Sequence, residues 1–364
     1  MVDTSKQPQV ESIRAVMTSA GKNLLPHVIA VSMGDPRGIG PEVIVRTVLS
    51  KDMPRSVKLI VFADAEVMDR AAATLNVTPD WNVYSRLPET AEEIRFGHNA
   101  LTIVDPGYSL DSGGVDEPRS NGRVQLMYLD AAVDAMKLPW IRALVTAPVS
   151  KADISLVEPG FRGHTQYLAA KAGIDPDTVT MIFADNRWAV ALVTGHVPLS
   201  EVALSLTPER LHRSLDHLAD VLSRIRKGKR LKIALAGLNP HAGEQGLIGG
   251  DEKNLLAPWA DSVRKSGKYP DIELSGPAVP DVVFRDLYNG AYDGVLALYH
   301  DQALIPLKLR GIGTWTNITA GLPYCRTSPD HGVARDLAGT GHSDPAGMKH
   351  AILAAMTLSG IRTK

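Results

Sequence analysis

With a single cysteine, Cys325, in 364 residues, the chain has no pair to cross-link internally, which excludes a disulfide framework and agrees with a reducing compartment. No stretch approaches the roughly twenty consecutive apolar residues of a membrane span. The first twenty-odd residues are polar and mixed in charge, without the apolar centre of a secretory signal. Residues 1–25 therefore read as a flexible N-terminal extension, and the remainder as a soluble, cytoplasmic chain without internal repeats. An excess of charge is also missing: 39 Lys and Arg face 40 Asp and Glu, and the net charge of -1 offers no global attraction to nucleic acid or an anionic membrane. Any affinity for anions has to be local.

The chain does have length and a βα rhythm. Its 364 residues exceed the roughly 250 to 300 at which a single core stops growing, so two lobes with a cleft between them are expected. Short β-branched runs, each followed by a Gly, Pro, Asp or Asn cluster and then a helical pattern, predict an α/β fold with a mainly parallel sheet. The predicted strands are 27–33, 58–62, 142–145, 188–193, 231–236 and 293–298, and the predicted helices 41–49, 207–224 and 344–358. His212 and His217 fall on the polar side of the second helix and read as surface residues.

The chemistry-bearing residues cluster after these strands, in GDPRGIGPE (34–42), TAPVSK (146–151), VTGHVPL (193–199), GLNPHAGE (237–244) and LYHDQ (298–302). Strand carboxyl ends line the ligand crevice of an open parallel sheet, so these five loops are expected to converge from one sheet edge. Three of them carry His196, His241 and His300. Neutral imidazoles from separate loops can hold a divalent cation with positions left open for substrate; one such histidine alone reads more often as a hydrogen-bonded structural residue, and it is the three matching contexts that raise the metal reading to equal standing. Asp301 could orient one of them. Lys308, Asn317 and Arg326 follow at nine-residue steps and are anion-binding types. The first glycine loop does not satisfy G-x-G-x-x-G, because Val43 takes the third glycine position; it reads as a tight turn into a helix start, with Asp35 and Arg37 at its mouth. The histidine set alone would also suit a metal-dependent hydrolase or lyase that uses no nucleotide.

The segment HGVARDLAGTG (331–341) is similar to the loop with which metal-dependent β-decarboxylating dehydrogenases, the isocitrate and isopropylmalate type, wrap the adenosine half of NAD(P). Taken together, the motifs resemble the 4-hydroxythreonine-4-phosphate dehydrogenase family from about residue 29 to the C-terminus. The resemblance implies a two-lobed isocitrate/isopropylmalate dehydrogenase-like fold. Residues 26–140 plus 295–364 would form the nucleotide-side lobe, and 141–294 the lobe for metal, substrate and dimer contacts. It implies metal ligation by His196, His241 and His300 and substrate contacts from His164, Thr165, Lys308, Asn317 and Arg326. Nucleotide contacts would come from His331, Gly332, Asp336, Gly339 and Gly341. Asp35, Lys151 and Asp301 are the candidate proton acceptors. The implied cofactors are NAD or NADP and a divalent metal, zinc first with magnesium, manganese or cobalt as alternatives. The implied assembly is a homodimer with a shared active site, with neither nucleic acid nor membrane as partner.

The implied activity, placed in pyridoxine biosynthesis, oxidises a secondary hydroxyl of a phosphorylated hydroxy acid and then decarboxylates the β-keto product. Relatives of this type act on D-threonate or D-erythronate 4-phosphate, or on cis-dihydrodiols of aromatic acids such as terephthalate. Gly195 stands where the family has threonine. Trp315 reads either as a platform for a planar ring or as a core residue.

Overall fold

The computed structural model describes residues 27–98, 100–107, 117–311 and 313–360; the extension assigned to residues 1–25 lies outside them. Among the described residues twelve strands form: β1 His27–Ser32, β2 Val57–Phe62, β3 Asn82–Tyr84, β4 Leu101–Val104, β5 Ile141–Thr146, β6 Thr180–Ala184, β7 Ala189–Leu192, β8 Leu231–Ala236, β9 Ile272–Ala278, β10 Gly294–Ala297, β11 Thr316–Ala320 and β12 Cys325–Pro329. They make one sheet in the order β3-β4-β2-β1-β5-β12-β11-β6-β7-β10-β8-β9. The six strands and three helices predicted from the sequence are all present, shifted by at most two residues at an end.

The sheet is mainly parallel but reverses at its centre. β11 runs antiparallel to both β12 and β6, and β6 antiparallel to β7, whereas β1, β2, β4, β5 and β12 are parallel neighbours, as are β7, β10, β8 and β9. The strands on one side of the centre therefore point opposite to those on the other. This corrects the expectation of a single edge: the loops after β1 and β5 leave the sheet in the opposite sense to those after β7, β8 and β10.

Apolar packing forms three clusters. The first joins β1, β2, β4 and β5 to helices Gly40–Val48, Glu117–Ala135 and Ala346–Leu358, with Val28, Ile29, Ile60 and Leu144 fully buried. The other two lie on opposite faces of the second half. Helix Pro208–Arg226 packs Leu211, Leu215, Leu218 and Leu222 on one face, and helices Pro280–Tyr288 and His300–Arg310 pack Phe284, Leu287, Ala303 and Leu307 on the other. Leucines at steps of three and four put one stripe toward the core, and Thr207 caps the first of these helices by accepting from Arg210 N. β5 registers with β1 and packs in the first cluster, while β10 packs in the second half. Leu168 likewise packs in the first cluster, and Ile318 in the second half.

His212 and His217 are half-buried, not free at the surface. His217 Nδ1 pairs with Thr180 Oγ1 at 2.8 Å, and His212 Nδ1 faces Trp259 Nε1 at 2.7 Å. Trp315 is only 1% exposed and belongs to the core beside Tyr288, so it offers no platform for a ring. Among the described residues no helix is long and apolar enough to cross a membrane.

Candidate active site

The three central strands are polar on one side. In β12 (CRTSP) and β11 (TNITA), alternate residues point to opposite faces. Ile182 of β6 and Ile318 go to the core, and Thr327 bonds Ala351 O on the same side as the helix Ala346–Leu358. Arg326, Ser328, Asn317 and Phe183 face a cavity of about 370 Å³ instead. The register Asn317 to Ser328 and Asn317 to Phe183 puts these side chains in one row across three strands. The walls come from both halves: Thr146 and Lys151 after β5, His164 and Thr165 at the start of helix His164–Lys171, His196 after β7, His300 and Lys308 on helix His300–Arg310, and Asp330, His331 and Gly332 after β12. The loops leave opposite ends of the two strand sets and meet over this face.

Arg326 is the most informative residue on the floor. It is 2% exposed, donating from Nη1 to Thr319 Oγ1 (2.9 Å) and from Nη2 to Thr146 Oγ1 (2.6 Å), while its Nε has no partner. Burial brings its pKa down to about 10, so it stays charged at neutral pH. No carboxylate pairs with it among the described residues, and a buried cation without a counter-charge is costly. His164 Nε2, Asn317 Oδ1 and His331 Nε2 are likewise buried without partners. Lys151, Arg162 and Lys308 also line the cavity, against one carboxylate, Asp330. Such a cavity is built for an anion with several acceptor oxygens. Burial holds the His164 imidazole well below its ordinary range, and Arg326 and Lys151 add to this, so the ring is neutral.

Of the three expected metal ligands, His196 and His300 come together, with ring centroids 5.2 Å apart. Burial, with Lys151 and His300 nearby, lowers the pKa of His196 and keeps it an available lone-pair donor. His300 Nδ1 donates to Asp301 Oδ1 at 2.7 Å, which leaves its Nε2 for a ligand. His241 stands apart from this cavity. It is exposed, lies in a run of left-handed residues from His241 to Gln245, and donates from Nδ1 to Glu244 Oε1 at 2.6 Å. Among the described residues no three metal-ligating side chains meet. The pair follows the neighbouring strands β7 and β10, and two imidazoles so placed suit a divalent cation.

That left-handed turn is held by a buried carboxylate. Glu252 Oε1 accepts from Leu238 N (2.8 Å) and Asn239 N (2.7 Å), and a Cβ on Gly243 would lie 2.5 Å from Glu252 Oε2. Around the three histidine segments lie exposed apolar side chains: Leu199 and Leu204 after His196, Leu247 after His241, and Ile305 and Leu309 on the helix that starts at His300.

The three candidate proton acceptors separate. Lys151 lines the cavity. Asp301 is exposed and engaged by His300. Asp35 is not among the lining residues; it is fully buried, accepting from Arg37 N, from Asn121 Nδ2 (3.1 Å) and from Arg335 Nε (2.8 Å). Of the three candidates, the structure thus brings Lys151 to the cavity and places Asp35 behind it, paired with Arg335. The GDPRGIGPE segment instead cradles the second glycine loop. Ile39 N bonds Val333 O at 2.9 Å, Glu42 accepts from Gly339 N and from Ser343 Oγ, and Arg46 donates to Gly341 O at 2.6 Å. His331 and Gly332 reach the cavity, whereas Asp336, Gly339 and Gly341 lie along the loop beyond it, Asp336 exposed. Sequence reasoning passed over Asp330, Arg162 and Ser328. The first two sit next to or near residues already chosen (His331, and the GHT segment at 163–165), which was the available signal.

A family model described as pyridoxal phosphate biosynthetic protein PdxA matches residues 55–355. The chain is 37% identical over 334 residues to a 4-hydroxythreonine-4-phosphate dehydrogenase of Chromobacterium violaceum, covering 92% of this chain and 97% of that one. It is 36% identical over 338 residues to a D-threonate 4-phosphate dehydrogenase of Salmonella typhimurium, covering 91% and 98%. A crystal structure of 4-hydroxythreonine-4-phosphate dehydrogenase from Klebsiella pneumoniae superimposes with a TM-score of 0.76 at 34% identity, covering 93% and 99%.

Proposed function

The chain belongs to the family described as pyridoxal phosphate biosynthetic protein PdxA, and from that premise we propose how its cavity carries out the family reaction. The protein is an NAD-type dehydrogenase that oxidises a secondary hydroxyl of a phosphorylated hydroxy acid and decarboxylates the product. We name 4-phosphohydroxy-L-threonine as the substrate, with D-threonate 4-phosphate next. The observation that carries this reading is Arg326, a buried guanidinium on the cavity floor with a free Nε and no carboxylate partner.

Arg326, Lys308, Asn317, His164 and Thr165 hold the phosphate and carboxylate oxygens in this reading, through charge-assisted bonds that also fix orientation. His196 and His300 hold a divalent cation, for which imidazole donors favour zinc. We take the third donor to be His241 of a second copy in a homodimer. Its exposure outside the cavity and the exposed leucines beside all three histidine segments support that arrangement. A cation held there would supply Lewis-acid polarisation of the substrate oxygen, and a bound nicotinamide would supply the hydride acceptor. Lys151 takes the hydroxyl proton and returns one to the carbon that loses carbon dioxide; with Asp35 buried in an ion cluster and Asp301 engaged by His300, it is the candidate that faces the cavity. The loop 331–341, in the lobe of the first core, carries the nucleotide through His331, Gly332, Asp336, Gly339 and Gly341.

The test is NADH formation with 4-phosphohydroxy-L-threonine, D-threonate 4-phosphate and terephthalate cis-dihydrodiol, each with and without chelator. Chelator-sensitive reduction with a phosphorylated substrate is expected. Oxidation of the dihydrodiol alone would overturn the substrate, and no reduction with any of the three would overturn the reading.

A further inference from the structure

Arg335 lies outside the cavity yet closes a buried ion cluster that joins two of its walls. Its Nε donates to Asp35 Oδ2 at 2.8 Å, its Nη2 reaches the same oxygen at 2.7 Å, and Nη2 also pairs with Asp153 Oδ2. Asp35 is 0% and Asp153 6% exposed, and the equally buried Asn121 donates from Nδ2 to both, at 3.1 and 2.6 Å. Two carboxylates thus share one amide and one guanidinium. Removing the cation would leave like charges facing each other in a buried place.

The cluster's position gives it a consequence for the site. Asp153 is two residues from Lys151 in the short helix Lys151–Ser155, and Ser150 caps that helix by accepting from Asp153 N. Arg335 is three residues from Gly332 and four from His331, both of which line the cavity after β12, the parallel neighbour of the β5 that leads to Lys151. The residue before it, Ala334, has φ 43°. A left-handed alanine is unfavourable unless its surroundings impose it, and here it turns Arg335 inward.

We infer that Arg335 is a positioning residue: its fork onto Asp35 and Asp153 sets the distance between the nucleotide loop and the wall carrying Lys151, and thereby nucleotide affinity. This rests on the reading of loop 331–341 as the nucleotide contact. The requirement is geometric as well as electrostatic, because a planar guanidinium meets two carboxylates at once and an ammonium does not.

The experiment compares Arg335→Met, Arg335→Lys and Asp153→Asn with the unaltered dimeric enzyme. Arg335→Met is expected to raise the KM for NAD about tenfold, the scale of one lost charge-assisted bond. Arg335→Lys is expected to recover part of that, and the KM for the phosphorylated substrate to move by less than about threefold in all variants. Hydrogen exchange of the nucleotide-free protein provides a second readout, with amides in 332–341 exchanging faster in Arg335→Met while those of β1 do not change. An unchanged KM for NAD with unchanged exchange overturns the proposal, as does an equal loss of affinity for both substrates. If Arg335→Met does not fold, Arg335→Lys and Asp153→Asn decide it by the same split. Failure of the unaltered protein to bind NAD by calorimetry counts against the reading of the loop, whereas the exchange comparison still decides the clamp.

Discussion

Arg326 shows how one side chain can be poor for stability and necessary for binding. Its guanidinium is buried among hydroxyls and lacks a counter-charge. Arg326→Met, which fills similar space without charge, is expected to leave the thermal midpoint unchanged or raised. It should also lower kcat/KM for the phosphorylated substrate about 100-fold or more, through loss of hydrogen bonds to a charged ligand. A lowered midpoint with unaltered kinetics would contradict the anion site. His164 gives a pH prediction. Its folded pKa lies well below 6.5, so the unfolded chain binds more protons, and stability is full above 6.5 and lost as pH falls below it. Thermal midpoints between pH 7.5 and 5.5 should fall on acidification, and less steeply in His164→Asn; parallel curves would refute this. At this scale the sequence was informative about residue types and less so about surroundings. His196, His300, Lys308, Asn317 and Arg326 do share one cavity. Asp35 looked equally chemical, but its counter-charge, Arg335, lies 300 residues away. Cys325 showed nothing in the sequence beyond its solitude; burial pushes its thiol up to about 12, which makes it unreactive.

At the level of elements, the apolar strands β1, β2, β5, β7, β8 and β10 were legible because buried parallel strands read as near-continuous β-branched runs. β11 and β12 were not: CRTSP and TNITA carry Arg326, Ser328 and Asn317 toward the cavity and therefore look like loop. The first glycine loop was legible as a turn but not as a cradle, since its partner is the loop near the chain's other end. Gly38 makes this testable. A Cβ there would sit 2.6 Å from Val333 O, an unyielding backbone contact, so Gly38→Ala should displace the 331–341 loop. The expected result is a KM for NAD raised about tenfold with a thermal midpoint lowered by a few degrees; an unchanged KM would show that the cradle is irrelevant to the nucleotide. Glu252→Gln tests the left-handed turn carrying His241. Loss of the charged acceptor for two backbone N–H groups is expected to weaken metal retention in the assembled enzyme by about tenfold, read as zinc content after dialysis against graded chelator.

For the whole molecule, the separation of His241 from His196 and His300 predicts complementation between copies. His196→Asn and His241→Asn should each be inactive alone. Mixed and allowed to exchange subunits, they should regain up to about a quarter of the normal rate, since half the random dimers then hold one intact site of two. No recovery after proven exchange would place all three donors in one chain. Leu204→Lys with Leu309→Lys, at 87% and 83% exposed positions, should shift sedimentation toward single chains without lowering the helix content.

The continuous sheet has a consequence for how the enzyme closes. Both halves belong to one unbroken ladder of strands, so a movement of one half against the other would bend or twist the sheet itself. The two halves meet at the antiparallel middle, β6, β11 and β12, which is also where Asn317 and Arg326 stand. Ligand capture and lobe movement would then be one mechanical event, with the substrate's own oxygens tightening the spring they rest on.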